Sequence, residues 1–493
     1  MTAPLAERTG IPVLVSFPLA LGVLVTVAGL FSRAARLRDP DVMLHTVVGR
    51  WIVEHHGVPH ADPFSFTMPG APWVAHEWLG EVIISGFYAA LGWQGMVAMA
   101  SLAMGLAVAL FTRALLRNYQ PAHAIIIAAL AWLVVTPHWL ARPHIIALPL
   151  TVLWMTLLVA ARQDGRAPHP AWALLMIPWV NLHGSFLVGI GFAGLFLVEA
   201  ILVTSGEAAR LKQAKDWAIF CALAVLASLV TPYGIEAYRL PFKLLDMKFT
   251  LSVLSEWKAI NFQVLSTFEI WFLIFLGAVL GCGIKLPWTR MLMAVLLFDM
   301  ALKHARHAEL MAFLVPLLAG PWAGMQMRPA AAPHKVSRVE RMFERMAQPA
   351  SWRGIALAGA VLVAAEAVAA AFPFTPGDQY MPAAALGAVR QHGVSGPVLN
   401  EYDYGDYLIF SGVKPFIDGR ADMYGDTFIK RFYEATRGQS DELPKLLEEY
   451  HIDWTLFPKD SPALVQLDRM AGWHRLYGDD VAVVHVRDGA ASH

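Results

Sequence analysis

The chain has 493 residues, of which 57% are hydrophobic and only 15% are charged. Because an average soluble protein carries about 25% charged residues, this composition excludes an ordinary soluble protein and predicts a polytopic α-helical membrane protein. The formal net charge is zero, so bulk charge favours neither nucleic acid nor an acidic partner. The two cysteines, Cys221 and Cys282, lie in or beside apolar runs, which excludes a disulfide framework and a zinc-binding cysteine cluster.

Eleven apolar runs approach the length of about 20 residues that a bilayer-spanning helix requires. They are 11–31, 94–116, 122–139, 143–161, 169–182, 184–203, 216–232, 267–284, 290–304, 307–325 and 354–373. The run 169–182 would reach only about 21 Å as a helix, so we expect a thin, tilted or broken span. The run 11–31 is longer than the core of a signal peptide and has no cleavage site after it, which predicts an uncleaved anchor.

Lysine and arginine set the predicted orientation, because they are enriched in cytoplasmic loops. Their distribution favours a cytoplasmic N-terminus and an extracytoplasmic C-terminus, with the loop 326–353 the most basic of the cytoplasmic connections. In this orientation the polar motifs all fall on the outer face. These motifs are 39–45, 75–81, 141–144, 181–185, 231–234, 255–257 and 303–307.

The first outer loop, residues 32–93, is long and patterned, and such loops are often functional. Asp39 followed by proline predicts a helix with Asp39 as its N-cap, running to about His56. Apolar residues along one face of this segment predict an amphipathic helix that lies along the membrane. Residues 76–93 predict a second juxtamembrane helix that leads into the next span.

Asp41 and His45 are four residues apart, so they share one face of the first predicted helix. Capping and the helix dipole explain Asp39 and Asp41 in purely structural terms. For Asp41 that explanation is weaker, because an acid at the bilayer edge is costly unless it faces water or a site.

The composition changes after residue 373, where charged and aromatic residues replace the apolar runs. We predict helices near 381–391, 405–410, 426–435, 441–450 and 462–471, and strands at 397–401, 414–418, 453–458 and in a hairpin over 473–486. This alternation is typical of a small α/β domain. The predicted domains are therefore a transmembrane domain over 1–373 and an extracytoplasmic α/β domain over 374–493.

Asp418, Arg420 and Asp422 follow a predicted strand, at the edge where open α/β sheets bind ligands. Asp406 and Tyr424 are expected nearby. A turn stabilised by an internal Arg–Asp pair explains the same residues equally well. The sequence has no glycine-rich phosphate loop, so nucleotide binding is not indicated.

An acidic pair directly after the first span, inside a long outer loop, resembles the GT-C superfamily of polytopic glycosyltransferases. The chain is also similar to a set of bacterial integral-membrane proteins classed as glycosyltransferases. The shared motifs are D-P-D-x-x-x-H at 39–45, D-P-F-S at 62–65, W-x-x-H-E-W-L at 73–79, W-x-N-x-H-G at 179–184 and D-G-R at 418–420. The resemblance spans nearly the whole chain and implies a GT-C-like transmembrane domain.

The resemblance implies an inverting transfer, in which a base deprotonates the acceptor hydroxyl opposite the leaving phosphate. Asp41 is the candidate base and Asp39 the second candidate, while His45 would orient the acid or take part in proton transfer. The implied partners are a polyprenyl-phosphate sugar donor, membrane lipid, and a glycan, lipid or protein acceptor. The implied location is a bacterial inner (cytoplasmic) membrane.

Cations suit the leaving lipid phosphate, where negative charge grows. The candidate substrate-binding residues are Arg142, His144, His183, Glu256, Lys303, His304, Arg306, His76 and Glu77. Arginines at span ends are explained equally well by snorkelling to the membrane interface. His183 lies where a short span turns back, and polar groups there satisfy freed backbone. Because acids and cations are both predicted on the outer face, we expect them to meet in one cleft.

Several histidines and Glu77 crowd the first outer loop without the regular spacing of a zinc site. Some GT-C enzymes hold a divalent ion on their acids, so Mg²⁺ or Mn²⁺ at Asp39 and Asp41 stays open. No other cofactor is indicated.

Three other functions stay open. A polysaccharide polymerase or O-antigen-ligase type of enzyme also acts on lipid-linked sugars, but relies on arginine and histidine in later outer loops. A non-catalytic membrane scaffold or receptor with a GT-C-like fold would not need Asp41. A transporter is less favoured, because the spans have neither midplane charges nor paired broken helices.

Overall fold

The computed structural model describes residues 12–254, 257–327, 338–372, 374–438 and 441–489. The chain divides into two compact units. The helical unit contains Met1–Arg33, Met96–Thr231 and Ser255–Pro373. The mixed unit contains Ala34–Gly95, Pro232–Leu254 and Phe374–His493.

The helical unit is built from α-helices joined by loops and 3₁₀ turns. Its helices are Phe17–Phe31, Pro121–Val135, Pro143–Gln163, Met176–Leu182, Phe186–Val203, Glu207–Ser228, Thr267–Cys282, Trp288–Lys303, Ala308–Gln326, Arg338–Met346 and Trp352–Ala370. The helix Trp78–Leu115 belongs to this unit from Met96 onward. It is broken at Gly92, where φ is 60° and ψ is −144°, a conformation that glycine adopts without steric cost.

Several of these helices are suited to a bilayer. Within the described ranges, six helices are long and apolar enough to cross a membrane: Trp78–Leu115, Pro121–His138, Pro143–Gln163, Phe186–Val203, Ala305–Gln326 and Trp352–Ala370. Shorter apolar helices cover Phe17–Phe31, Pro170–Leu182 and Thr267–Cys282. All of them coincide with predicted spans, and the chain is a multi-pass membrane protein. Eleven crossings and the direction of each stay predictions.

The run 169–182 forms one short apolar helix that changes type along its length, and its form as a thin, tilted or broken span stays a prediction. A 3₁₀ turn over Pro170–Leu175 is followed by the α-helix Met176–Leu182. The side chain of His169 accepts a hydrogen bond from the amide of Ala171 at 3.2 Å and so caps the turn.

Small residues let the helices of this unit approach one another closely, as is common in membranes. A Cβ at Gly22 would lie 2.9 Å from the carbonyl oxygen of Gly105, and one at Gly29 would lie 2.5 Å from the ring of Trp139. The Trp139 indole donates to the carbonyl of Ala100 at 3.0 Å. A larger residue at either glycine would therefore push two helices apart.

The mixed unit combines helices with one small sheet. Its helices are most of Arg33–Arg36, then Asp41–His55, Glu236–Asp246, Lys248–Val253, Ala383–Gln391, Gly405–Phe410, Ala421–Tyr424, Asp426–Thr436, Glu442–Glu449 and Ala463–Leu467, and the first part of Trp78–Leu115. Its strands are β1 (Val398–Asn400), β2 (Trp454–Pro458), β3 (Trp473–Gly478) and β4 (Ala482–Arg487). They are ordered β1-β2-β4-β3; β1 and β2 are parallel, and β4 is antiparallel to both of its neighbours.

The strand predicted at 414–418 is wrong, and a side chain explains why. The amide of Phe416 donates to the side-chain oxygen of Asn400 at 2.8 Å, and the side-chain nitrogen of Asn400 donates to the carbonyl of Ile417 at 2.8 Å. Asn400 thus satisfies backbone groups that a ladder would otherwise pair. The segment therefore runs beside β1 as irregular chain.

One hydrophobic core joins residues of the first outer loop to residues of the tail. Its buried members include Leu44, Val48, Trp73, Leu399, Ile417 and Phe457. In the helix Asp41–His55, every residue from 42 to 49 is buried. The prediction of a one-sided amphipathic helix is therefore wrong, because this helix is enclosed by protein on several sides. Its position along the membrane stays a prediction.

Candidate functional site

Asp41 begins the helix Asp41–His55, one position later than the predicted start. The N-cap residue is Pro40, and Asp39 instead accepts a hydrogen bond from the amide of Asp41 at 3.0 Å. Asp39 therefore satisfies an amide at the start of the helix, as the structural explanation of this residue expected. This contact also fixes the backbone from which the Asp41 carboxyl projects.

A second carboxyl, that of Asp406, lies against Asp41. Asp406 is on the helix Gly405–Phe410, only 1% exposed, and its Oδ1 accepts a hydrogen bond from the Gly419 amide at 3.0 Å. A Cβ at Gly419 would lie 2.9 Å from Oδ2 of Asp406 and 3.0 Å from Oδ1 of Asp41. Glycine at 419 therefore leaves the room in which the two carboxyls face each other.

Burial and neighbouring negative charges raise the pKa values of acids in this group. Burial, followed by the negative charges of Asp41 and Asp418, raises the pKa of Asp406 well above its usual range. Asp406 thus keeps a proton at a higher pH than an exposed aspartate does, because the charged form is poorly solvated and repelled. Burial, followed by the negative charges of Asp41 and Asp39, raises the pKa of Asp403 to about 6.

His45 lies one helical turn beyond Asp41 and is tied to a different set of groups. Its Nδ1 is 3.2 Å from Oε1 of Glu81, and its Nε2 is 3.9 Å from Oε2 of Glu77. His76 lies 3.7 Å from the other oxygen of Glu77. A Cβ at Gly49 would lie 2.0 Å from the carbonyl oxygen of Glu81, so this glycine permits the close helix approach that holds His45 in place.

The structure thus brings together three sequence-predicted residues, His45, His76 and Glu77, and adds Glu81. Sequence analysis missed Glu81, although it lies four residues after Glu77 and therefore on the same helical face.

The C-terminal candidates Asp418 and Arg420 form a buried ion network with the first outer loop. Arg420 donates to both oxygens of Asp418 at 2.7 Å and also pairs with Asp62. Tyr424 donates to Asp418 at 2.7 Å, and Ser65 donates to Asp62. Burial alone lowers the pKa of Arg420, but the charges of Asp418 and Asp62 raise it well above its usual range.

This geometry matches the internal Arg–Asp pair rather than an open ligand site. Its members are buried and bonded to one another. The third candidate, Asp422, accepts a hydrogen bond through its carbonyl oxygen from Lys243 at 2.8 Å. Asp62 was missed as a partner, since nothing in the D-P-F-S turn indicates an arginine far along the chain.

In the helical unit, His144 lies 4.0 Å from Glu309 and its ring centre is 6.0 Å from that of His183. Glu309 is 6% exposed and was missed by sequence analysis. His183 accepts a hydrogen bond from the Ser185 amide at 3.2 Å, and Arg142 immediately precedes the helix Pro143–Gln163. His144, His183 and Glu309 thus form a polar cluster at helix ends.

A second group surrounds Trp257. The guanidinium of Arg306 lies 4.6 Å from the Trp257 ring centre, and Nδ1 of His304 is 2.7 Å from the Trp257 carbonyl oxygen. Lys303 instead forms an exposed pair with Asp299 at 2.9 Å. Glu256, another candidate, lies outside the described residues.

Metal binding was an open expectation. Across the ranges that the structure describes, no group of three or more His, Cys, Asp or Glu side chains is arranged to hold a metal ion. Mg²⁺ or Mn²⁺ at Asp39 and Asp41 stays a prediction.

No protein-family model and no curated protein matches the sequence. Among solved structures, the chain is similar to ArnT from Cupriavidus metallidurans bound to undecaprenyl phosphate. The TM-score is 0.50 at 14% identity, covering 95% of this chain and 97% of that one. It is also similar to the Archaeoglobus fulgidus oligosaccharyltransferase in its apo form, with a TM-score of 0.51 at 10% identity, covering 90% of this chain and 69% of that one. Both are GT-C superfamily proteins, and the chain therefore has a GT-C-type fold, as its motifs predict.

Proposed function

We propose that the chain transfers a sugar from a polyprenyl-phosphate donor to a lipid, glycan or protein acceptor. The reaction takes place at the extracytoplasmic face of a bacterial inner membrane. Asp41 acts as the general base, and the displacement inverts the anomeric centre. The N-terminus is cytoplasmic, eleven spans cross the bilayer, and the tail from residue 374 is extracytoplasmic.

The pairing of Asp41 with Asp406 is the observation that carries this proposal. Two carboxyls that share a site do not both ionise easily. Asp406 is deeply buried and its pKa is raised, so it keeps its proton to a higher pH than an exposed aspartate does. Asp41 is the less buried of the two, so we assign the role of base to its carboxyl, which an acceptor hydroxyl can approach more easily. A carboxylate next to a protonated acid is a suitable base for an acceptor hydroxyl.

Cations of the helical unit are the proposed ligands of the leaving lipid phosphate. Arg142 and Arg306 take this role, with His144 and His304 as hydrogen-bond donors. Lys303 is paired with Asp299 on an exposed surface, so we propose a smaller role for it in binding the phosphate. The likeness to ArnT, whose structure contains undecaprenyl phosphate, supports a polyprenyl-phosphate donor.

The test compares wild type with Asp41→Asn, using purified protein and a panel of polyprenyl-phosphate sugars with membrane lipid and glycan acceptors. Release of polyprenyl phosphate is expected to fall about 100-fold or more, the size of a lost general base. Asp480→Asn makes the same change at a fully exposed aspartate and should leave turnover unaltered. Full turnover by Asp41→Asn would contradict the assignment of the base.

One observation favours a second candidate function. The cluster of Arg306, His304 and His307 around Trp257 is the kind of site on which a polymerase or ligase type of enzyme relies. In that case Arg306→Ala would abolish transfer, whereas Asp41→Asn would not. A non-catalytic scaffold would show no turnover in wild type with any donor and acceptor pair.

A further inference from the structure

A cavity of about 230 Å³ lies beside the start of the helix Asp41–His55, within the mixed unit. Its apolar wall includes Leu37, Met43 and Trp93, and its polar edge includes Asp39 and Tyr380. The cavity therefore combines apolar side chains with hydrogen-bonding groups. The residues that line the cavity belong neither to the Asp41–Asp406 pair nor to the Arg420 network.

The aromatic wall is held firmly. The Trp93 ring packs against Phe410 with ring centres 5.4 Å apart and against Tyr88 at 5.1 Å. Because neighbouring rings support it, Trp93 keeps an indole surface at the cavity without further ordering of the side chain. The electron-rich face of an aromatic ring attracts the weakly positive C–H groups of a ligand.

The polar edge offers groups that bind hydroxyls. The side chain of Gln379 donates to the Tyr380 hydroxyl at 3.3 Å, and Gln379 also lines the cavity. The charges of Asp403 and Asp39 act on the same hydroxyl. A carboxylate accepts hydrogen bonds, and a phenol or an amide both donates and accepts, which together suit a ligand with several hydroxyls.

We propose that this cavity binds one sugar ring, with its C–H face on Trp93 and its hydroxyls on Asp39 and Tyr380. The size fits one ring rather than a chain, since pockets for drug-sized ligands measure about 300–1,000 Å³. Asp39 also bonds the amide of Asp41 at 3.0 Å, so the ring is placed directly beside the proposed base. The identity of the sugar-bearing substrate rests on the proposed function; binding of the ring does not.

Binding is tested on the full-length protein in detergent, using saturation-transfer NMR with the methyl glycosides of glucose, galactose, mannose and N-acetylglucosamine. At least one glycoside should bind wild type. Ala34→Trp fills the cavity from a position that lines it and is itself exposed, and should abolish the signal. Tyr380→Phe removes one hydroxyl and should weaken binding about tenfold, the loss of one hydrogen bond.

Tyr88→Phe is the matched control. It makes the same chemical change at a tyrosine that packs against Trp93 without being part of the cavity wall, and it should bind the glycoside like wild type. The proposal is overturned if no glycoside binds wild type. It is equally overturned if Ala34→Trp and Tyr380→Phe both bind as wild type does.

The ring belongs either to the donor or to the acceptor, and turnover distinguishes the two sources. If Ala34→Trp raises the KM of the lipid-linked sugar alone, the cavity holds the donor sugar; if it raises the KM of the acceptor alone, it holds the acceptor sugar. Both KM values unchanged would contradict the proposal. A wild type that binds a glycoside but transfers no sugar contradicts the proposed function while supporting the cavity assignment.

Discussion

Two places in the mixed unit hold pairs of aspartates in opposite ways. Asp62 and Asp418 share the guanidinium of Arg420, so each buried carboxylate has a cation and hydrogen bonds. Asp41 and Asp406 instead present carboxyl to carboxyl beside Gly419. Buried carboxylates whose charges are neutralised by an arginine are explained by a structural role alone. Two like groups held together are costly, and such arrangements cluster where a proton must be moved.

Substitutions at the two places should therefore have different effects on the protein. Changes at the Arg420 network should act mainly on stability, because its charges are compensated by one another and by neighbouring hydroxyl donors such as those of Tyr424 and Ser65. Changes at the Asp41–Asp406 pair should act mainly on turnover.

Arg420→Met should cause the largest loss of stability. Removing the cation leaves Asp62 and Asp418 buried without compensation, which costs about 3–5 kcal/mol for a buried pair. Chemical denaturation followed by tryptophan fluorescence measures the free energy of unfolding.

Arg431→Met is the matched control for that experiment. Arg431 pairs with Glu449 at 2.6 Å on a partly exposed surface. Pairs of this kind contribute about 0–1 kcal/mol, so the free energy of unfolding should change little. Equal losses at the two arginines would remove the distinction between a buried network and a surface pair.

Asp406→Ala and Asp406→Asn should differ. Alanine leaves the Gly419 amide without its acceptor, at a cost of about 1–3 kcal/mol. Asparagine retains an acceptor for that amide and an N–H group to face Asp41, so turnover should stay within about threefold of wild type, since a neutral hydrogen-bond donor is preserved. Thermal unfolding and turnover are measured on both variants. If asparagine abolished turnover, the Asp406 carboxyl itself would be needed in the reaction.

The pH dependence of stability is the smallest expected effect. The folded-state pKa of Asp406 is raised, so the folded protein binds more protons than the unfolded one above about pH 4, the usual aspartate value. This contribution is fully present below the unfolded pKa and is lost as the pH rises through the folded pKa. Asp406→Asn should therefore show a shallower fall in the unfolding midpoint with rising pH, and Asp480→Asn should not. Parallel curves for Asp406→Asn and wild type would contradict a raised pKa.

The features that were predicted correctly from the sequence are those set by local spacing and composition. Asp41 and His45 do lie on successive turns of one helix, and Tyr424 does reach Asp418. The apolar runs contain helices because length and hydropathy are sufficient to specify them. The internal pairing of Asp418 with Arg420 was one of two interpretations that the residue order allowed, and the structure forms this pair with both side chains buried.

Apart from Glu81, which local spacing could have revealed, the missed features depend on contacts between distant parts of the chain. Asp406 was expected near Asp418, but its position against Asp41 arises only because residues of the first outer loop and the tail share one core. Asp62 is separated from Arg420 by 358 positions. The strand predicted at 414–418 failed because the Asn400 side chain replaces a neighbouring strand as hydrogen-bond partner, which propensity does not reveal.

The most direct test measures turnover and the unfolding midpoint together on Asp41→Asn and Asp62→Asn. We expect Asp41→Asn to lose about 100-fold or more in sugar transfer with an unchanged or higher midpoint, because one of two facing carboxyls is gone. Asp62→Asn should lower the midpoint, because a buried charge pair with Arg420 is broken. At temperatures below its unfolding transition, this variant should retain the turnover of wild type. The reverse pattern, with Asp41→Asn unfolding early yet active and Asp62→Asn stable yet inactive, would contradict the account.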